Sequence, residues 1–225
     1  MLWSINFVEY INLWIILIIS IWLHEFAHAR TADKLGDPTP KSQWRLTANP
    51  LAHIDPFWFL MLFLIHFGRW KAVQINPNYF KNPKTWEILV AFAGPLMNIF
   101  LSIIGILCIF VYYRIIWLSG PLLISDLYSI IQSDYILYFL YLFSAINISM
   151  AVFNMIPIPP LDGFRLFFAI SHTRASRINL YINQFPIIAI ILIFTVFGRY
   201  ISIYVDTVSW FIFSRIYQIV WIFFL

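Results

Sequence analysis

Long apolar runs alternate with short polar stretches along this chain, and the runs set the elements. The first run covers residues 11–29. As a helix it rises about 27 Å, enough to cross the hydrocarbon of a bilayer. Residues 30–49 are polar and turn-rich, with Asp37-Pro38-Thr39-Pro40 expected to break any helix. Residues 54–67 are apolar again but short. Asp55-Pro56 reads as a helix cap followed by proline at the first helical position. From Pro56 to Phe67 such a helix rises only about 18 Å. With basic residues on both flanks, it is expected to be re-entrant or interfacial. Ala72-Val73-Gln74-Ile75-Asn76 alternates like a short strand and predicts a cytosolic β ribbon.

Residues 86–113 form a long apolar span, in which Gly94, Asn98, Ser102 and Gly105 recur at helical spacing. Small and polar residues so placed are expected to face other helices. Residues 114–134 read as a loop and residues 135–156 as the next span. That span ends in Pro157-Ile158-Pro159-Pro160-Leu161-Asp162-Gly163, which cannot be regular helix. Two last spans are expected at residues 183–203 and 207–225. The predicted fold is an all-α polytopic membrane protein with one re-entrant helix and a short ribbon.

Composition agrees with that class. Of 225 residues, 62% are hydrophobic and 11% charged, more apolar surface than a soluble domain can hide. The length suits one bundle, residues 1–225 forming a single domain without a sizeable extramembrane part. Cys108 is the one cysteine, so no internal disulfide is expected. The net charge of +4 is not a nucleic-acid signature; its placement matters more. If the end of the first span is cytosolic, then Arg30, Lys34, Lys41, Arg45, Arg69, Lys71, Lys81, Lys84, Arg165, Arg174 and Arg177 are all cytosolic. Arg114 and Arg199 fall outside, and Arg215 falls within a span. This predicts five crossings.

The chemistry sits at the end of the first run, in His24-Glu25-Phe26-Ala27-His28. Residues four apart on a helix share a face, so His24 and His28 can close on one metal ion. Glu25 stays off the metal and can take a proton from a bound water. A solvated polar helix end is the plain alternative, but ionisable residues within a membrane helix read as functional by default. Cleaving the first run as a signal peptide would remove the motif, so it is expected to be a true span. A catalytic zinc takes three protein ligands and keeps one position open. Candidates for the third are Asp162, Asp55 and His53. Asp162 is preferred because it follows a proline-broken helix end, whereas Asp55 has a cheap role as a cap and His53 sits on a surface turn.

Several motifs together resemble the site-2 protease family of intramembrane zinc metalloproteases, in its compact prokaryotic form. Leu23-His24-Glu25-Phe26-Ala27-His28-Ala29 is similar to the family's first catalytic motif. Gly36-Asp37-Pro38-Thr39-Pro40 and the stretch from Arg45 to Pro56 are similar to its connecting region. Ala93-Gly94-Pro95-Leu96-Met97-Asn98 resembles its Gly-x-x-x-Asn element, and Asn154 to Gly163 its Asn-x-x-Pro-x-Pro-x-Leu-Asp-Gly motif. The resemblance covers roughly residues 20–170. Phe164 stands where a second glycine is common, which bears on local loop geometry.

The resemblance implies a three-helix catalytic core, within about residues 11–165, with peripheral helices over about residues 183–225. It implies one zinc ion held by His24, His28 and Asp162, with Glu25 as general base and Asn98 and Asn154 near the substrate. Substrates would be transmembrane segments of other membrane proteins, cut in or near the lipid bilayer, often after a first cleavage elsewhere. The location implied is a prokaryotic plasma or inner membrane, with the site toward the cytosol. Asn98 and Asn154 could instead be glue between helices, and the ribbon could clamp an extended substrate by edge pairing. Other functions to weigh are an inactive relative that binds transmembrane helices, and a metal-binding transporter. An intact Glu25 argues against the first. The cytosolic clustering of polar residues argues against the second.

Overall fold

The structure is a computed structural model that describes residues 7–47, 49–53, 73–116, 134–158, 161–170 and 186–224. Six α-helices are present among these residues: α1 (Phe7–Lys34), α2 (Thr39–Ser42), α3 (Pro83–Ile116), α4 (Tyr135–Asn154), α5 (Asp162–Ile170) and α6 (Pro186–Phe224). Short 3-10 turns occupy Pro50–His53 and Pro77–Tyr79. Three helices, α1, α3 and α4, are long and apolar enough to cross a membrane. On α3, Leu89, Leu96, Phe100, Leu107 and Val111 are exposed while Asn98 and Ser102 are fully buried. A polar interior under an apolar surface is the pattern of a helix whose solvent is lipid.

Two compact units divide the chain, and the long helices contribute to both. One unit takes residues 1–17, 98–153 and 196–225. Its core joins Ile106, Ile109, Phe110 and Tyr113 of α3, Leu137, Ile148 and Val152 of α4, and Phe213, Tyr217 and Val220 of α6. A methyl group on Gly105 would collide with the hydroxyl of Ser144, so glycine lets α3 and α4 approach closely. Asn98 Nδ2 donates to Asn147 Oδ1 at 2.9 Å, tying the same two helices. Near the start of α4, the Tyr135 hydroxyl donates to Asn12 Oδ1 at 2.8 Å and links it to α1.

The other unit takes residues 18–97 and 154–195. Here α1 ends on Gly36, whose φ of 101° suits glycine. The Asp37 amide reaches back to Ala32 O and the Gly36 amide to Asp33 O, both at 3.0 Å. This is the paired bonding of a Schellman cap. The same pattern closes α2: Trp44 has φ 58°, and the amides of Arg45 and Trp44 bond Pro40 O and Lys41 O. A tryptophan in that left-handed conformation costs about 1–2 kcal/mol. The turn drives Trp44 outward, 84% exposed, and Arg45 inward, 3% exposed.

Two expectations need correction. No strand occurs among the described residues, and Val73–Asn76 has no regular structure. The amides of Val73 and Asn76 bond carboxylates of Glu25 and Asp37 instead of a neighbouring strand. The two separate C-terminal spans are also absent. Residues 186–224 form one continuous helix, α6. Asp206, near the expected break, accepts a bond from Ser202 Oγ one turn earlier at 3.2 Å. Nothing between Arg199 and Phe224 is proline or glycine, so nothing stops the helix. The expected re-entrant helix at Pro56–Phe67, with Asp55 before it, lies outside the described residues.

Candidate metal centre

His24 and His28 lie one turn apart on α1, and Asp162 is the first residue of α5. The structure brings the three together. Asp162 Oδ2 is 3.0 Å from His24 Nε2 and 3.1 Å from His28 Nε2, and the two ring nitrogens are 3.1 Å apart. All three residues are buried or nearly so, at 4%, 2% and 9% exposure. The second ring nitrogen of His28 decides the chemistry. His28 Nδ1 is 2.7 Å from Val90 O on α3. A carbonyl can only accept, so Nδ1 carries a proton, and Nε2 is the nitrogen turned toward His24 and Asp162.

Two imidazole nitrogens beside a carboxylate oxygen are a donor set for a cation. The three atoms form a nearly equilateral triangle. That spacing is compatible with all three atoms holding one ion between them. The wall beside them is equally specific. A Cβ added to Gly94 would fall among His28 Nε2, His24 Nε2 and His24 Cε1, far inside contact distance. Glycine is the residue that leaves room there. The residues therefore fit a metal such as zinc, which two imidazoles and one carboxylate would hold.

Asp162 is aimed by the broken chain before it. After α4 ends at Asn154, the Ile158 amide bonds Ile156 O at 2.8 Å and the Leu161 amide bonds Ile158 O at 2.9 Å. A Cβ on Gly163 would strike the carbonyls of Met155 and Ile156, so only glycine lets α5 start this close to the end of α4. Phe164, the departure from the family pattern, is buried at 8% and its amide bonds Leu161 O. Burial alone would raise the Asp162 carboxyl, but the facing imidazoles outweigh it and hold it well below the usual range.

Glu25 is buried, and its Oε2 accepts from the Val73 amide at 3.0 Å. Arg45 donates from Nη1 to Ala52 O, and burial lowers its pKa while the charge of Glu25 opposes that shift. Arg45 is one of the basic residues expected on the cytosolic side, and no local pattern in the sequence marks its burial. Asn98 is engaged with Asn147, as expected for glue between helices, and Asn154 closes α4 half-buried. His53 ends a 3-10 turn, and Asp55 lies outside the described residues. Among the described residues, one group of His, Cys, Asp or Glu side chains can hold a metal ion, and it is His24, His28 and Asp162.

The described residues thus combine long apolar helices with a His-His-carboxylate donor set and a glutamate on the same helix as the histidines. The chain belongs to peptidase family M50, whose profile matches residues 12–197. It is 34% identical over 152 residues to the Bacillus subtilis protein named "Putative zinc metalloprotease YwhC", covering 68% of this chain. It is 24% identical over 183 residues, 79% of this chain, to "Putative zinc metalloprotease Rip2" of Mycobacterium tuberculosis. The matched stretches span 65% and 64% of those relatives' own lengths. No solved structure is significantly similar to it.

Proposed function

We propose that this chain is a zinc-dependent intramembrane endopeptidase that cuts transmembrane segments of other membrane proteins. The observation that carries the reading is the convergence of His28 Nε2, on a ring oriented by Val90 O, with His24 and Asp162. His24, His28 and Asp162 would hold one zinc ion. When bound, the ion supplies Lewis acidity, polarising a carbonyl and bringing the pKa of water to about 7. Glu25 then takes the proton of the attacking water and passes it to the departing amide nitrogen. Both carboxylate roles need the negative charge, and the buried site excludes competing bulk water.

A substrate helix must unwind to be cut, which bares amides in lipid. Asn154, at the C-terminal end of α4, is the asparagine we assign to that backbone; Asn98 serves first as a tie to Asn147. We assign the site to the cytosolic half of a plasma membrane, because the basic residues flanking α1 and α3 favour that side.

The test uses full-length protein in proteoliposomes with a fluorogenic transmembrane peptide. Glu25→Gln should keep zinc at one ion per chain and lose cleavage by about 10²–10⁴-fold. Near-normal turnover by this variant would refute the assignment of the base. Cysteines at Lys41 and Lys81 should both be labelled from the cytosolic side, and labelling from opposite sides would refute the orientation.

A further inference from the structure

Between Glu25 and Asp37 the structure strings a short strap, residues 73–80, whose parts are all held. Val73 is 1% exposed, and its amide donates to Glu25 Oε2 at 3.0 Å. Three residues on, the Asn76 amide donates to Asp37 Oδ2 at 2.8 Å. At the far end Phe80 packs with Ala32 and Val90, with Leu35, Ile75 and Trp86 around them. Asp37 is itself fully buried, turned inward by the Gly36 cap, and its Oδ1 accepts from the Thr39 amide at 2.9 Å. Two amides from two segments thus meet one side chain. Each amide meets its own oxygen, so aspartate serves both, whereas asparagine would set its NH2 group against one of them.

We infer that this strap positions the general base: the Val73 amide holds Glu25 Oε2, leaving Oε1 to take the proton, and Asp37 is the positioning residue that anchors the strap. The inference rests on Glu25 being the base. A glutamate side chain turns about three bonds, and a base must lie within hydrogen-bond reach of the proton it takes. A main-chain donor at one oxygen selects one orientation without adding a charge or a competing acid. The same bonds occupy the amides of Val73 and Asn76, so those two groups are not offered to an extended substrate.

The decisive variant replaces Val73 with its α-hydroxy analogue by nonsense suppression, changing one amide N–H to an ester oxygen in the full chain. Asp37→Asn, which removes one acceptor, is the companion. Cleavage of the transmembrane peptide, zinc content and thermal unfolding are measured on both. The ester should lower kcat about tenfold or more, as expected on losing a charge-assisted bond, with KM within about twofold and zinc unchanged. In a Glu25→Gln background the ester should change the residual rate by less than about twofold, because the bond then serves no base. An unchanged kcat, a raised kcat, or a loss carried by KM or zinc would overturn the inference. If Asp37→Asn fails to fold, the ester alone decides. If Glu25→Gln is inactive while the ester is fully active, the strap inference falls and the base assignment stands. If Glu25→Gln itself turns over normally, the base assignment falls first.

Discussion

Gly94→Ala adds one methyl group at the most crowded point of the site. An ideal Cβ on Gly94 lies 2.5 Å from both His24 Cε1 and His24 Nε2, and His28 Nε2 is nearer still. Carbon and nitrogen in contact need roughly 3.4–3.6 Å, so each imidazole must retreat by about 1 Å or α3 must move. The rings have little room to retreat, since His28 is tied to Val90 O on the same helix and Ala29 and Ala32 are fully buried. The methyl also crowds the ring nitrogens of His24 and His28 that would hold the metal. Zinc affinity should fall by about 10²-fold or more, beyond the 10–100-fold typical of a lost outer partner. The assay is competition of purified protein against a chelating dye, with unfolding temperature followed in parallel. Gly198→Ala on α6 is the control, since nothing lies within 4 Å of its Cβ. It should leave zinc untouched and stabilise the helix by about 0.5–1 kcal/mol. Gly94→Ala with zinc affinity equal to that of the parent would refute the geometry of the whole centre.

Asp162→Asn exchanges a charged ligand for a neutral amide, so zinc bound after dialysis should fall well below one per chain, measured by metal analysis. Retention of a full equivalent would remove Asp162 from the donor set. Trp44→Gly relieves a left-handed tryptophan whose side chain is 84% exposed. It should raise stability in detergent by about 1 kcal/mol in a thermal unfolding assay, and a clear loss would show that the indole makes contacts of its own.

What the sequence reveals follows from how local each feature is. His24, Glu25 and His28 are legible because their geometry needs only one helical turn. Asp162 is legible because three prolines announce that the chain turns just before it, and a carboxylate among apolar residues needs a reason. The stripe from Gly94 to Gly105 is legible as close packing, but not as a wall against imidazoles, since nothing in it names the neighbour of Gly94. The strap is illegible: alternation in Val73–Asn76 suggested a strand, while its amides are taken by side chains 48 and 39 residues away. The continuity of α6 was available in the absence of any proline or glycine after Gly198. A helix tolerates polar residues such as Asp206, where proline would not be tolerated.

A single constraint ties these contacts together. A buried backbone carbonyl has two lone pairs and can serve its helix and a side chain at once, whereas an amide has one hydrogen and can serve only one partner well. Acceptors can therefore come from any part of the fold. Val90 lies two turns into α3, inside the helix, and its carbonyl still meets His28. Donors must come from backbone that owes nothing to a helix. The three amides that hold the carboxylates of Glu25 and Asp37 obey this. Val73 and Asn76 lie in irregular chain, and Thr39 is the first residue of α2, where amides lack a helical partner. A site built from spanning helices alone could orient its histidines but would have no main-chain donor for its acids. The irregular segments beside α1 thus supply donors that the middle of a helix cannot.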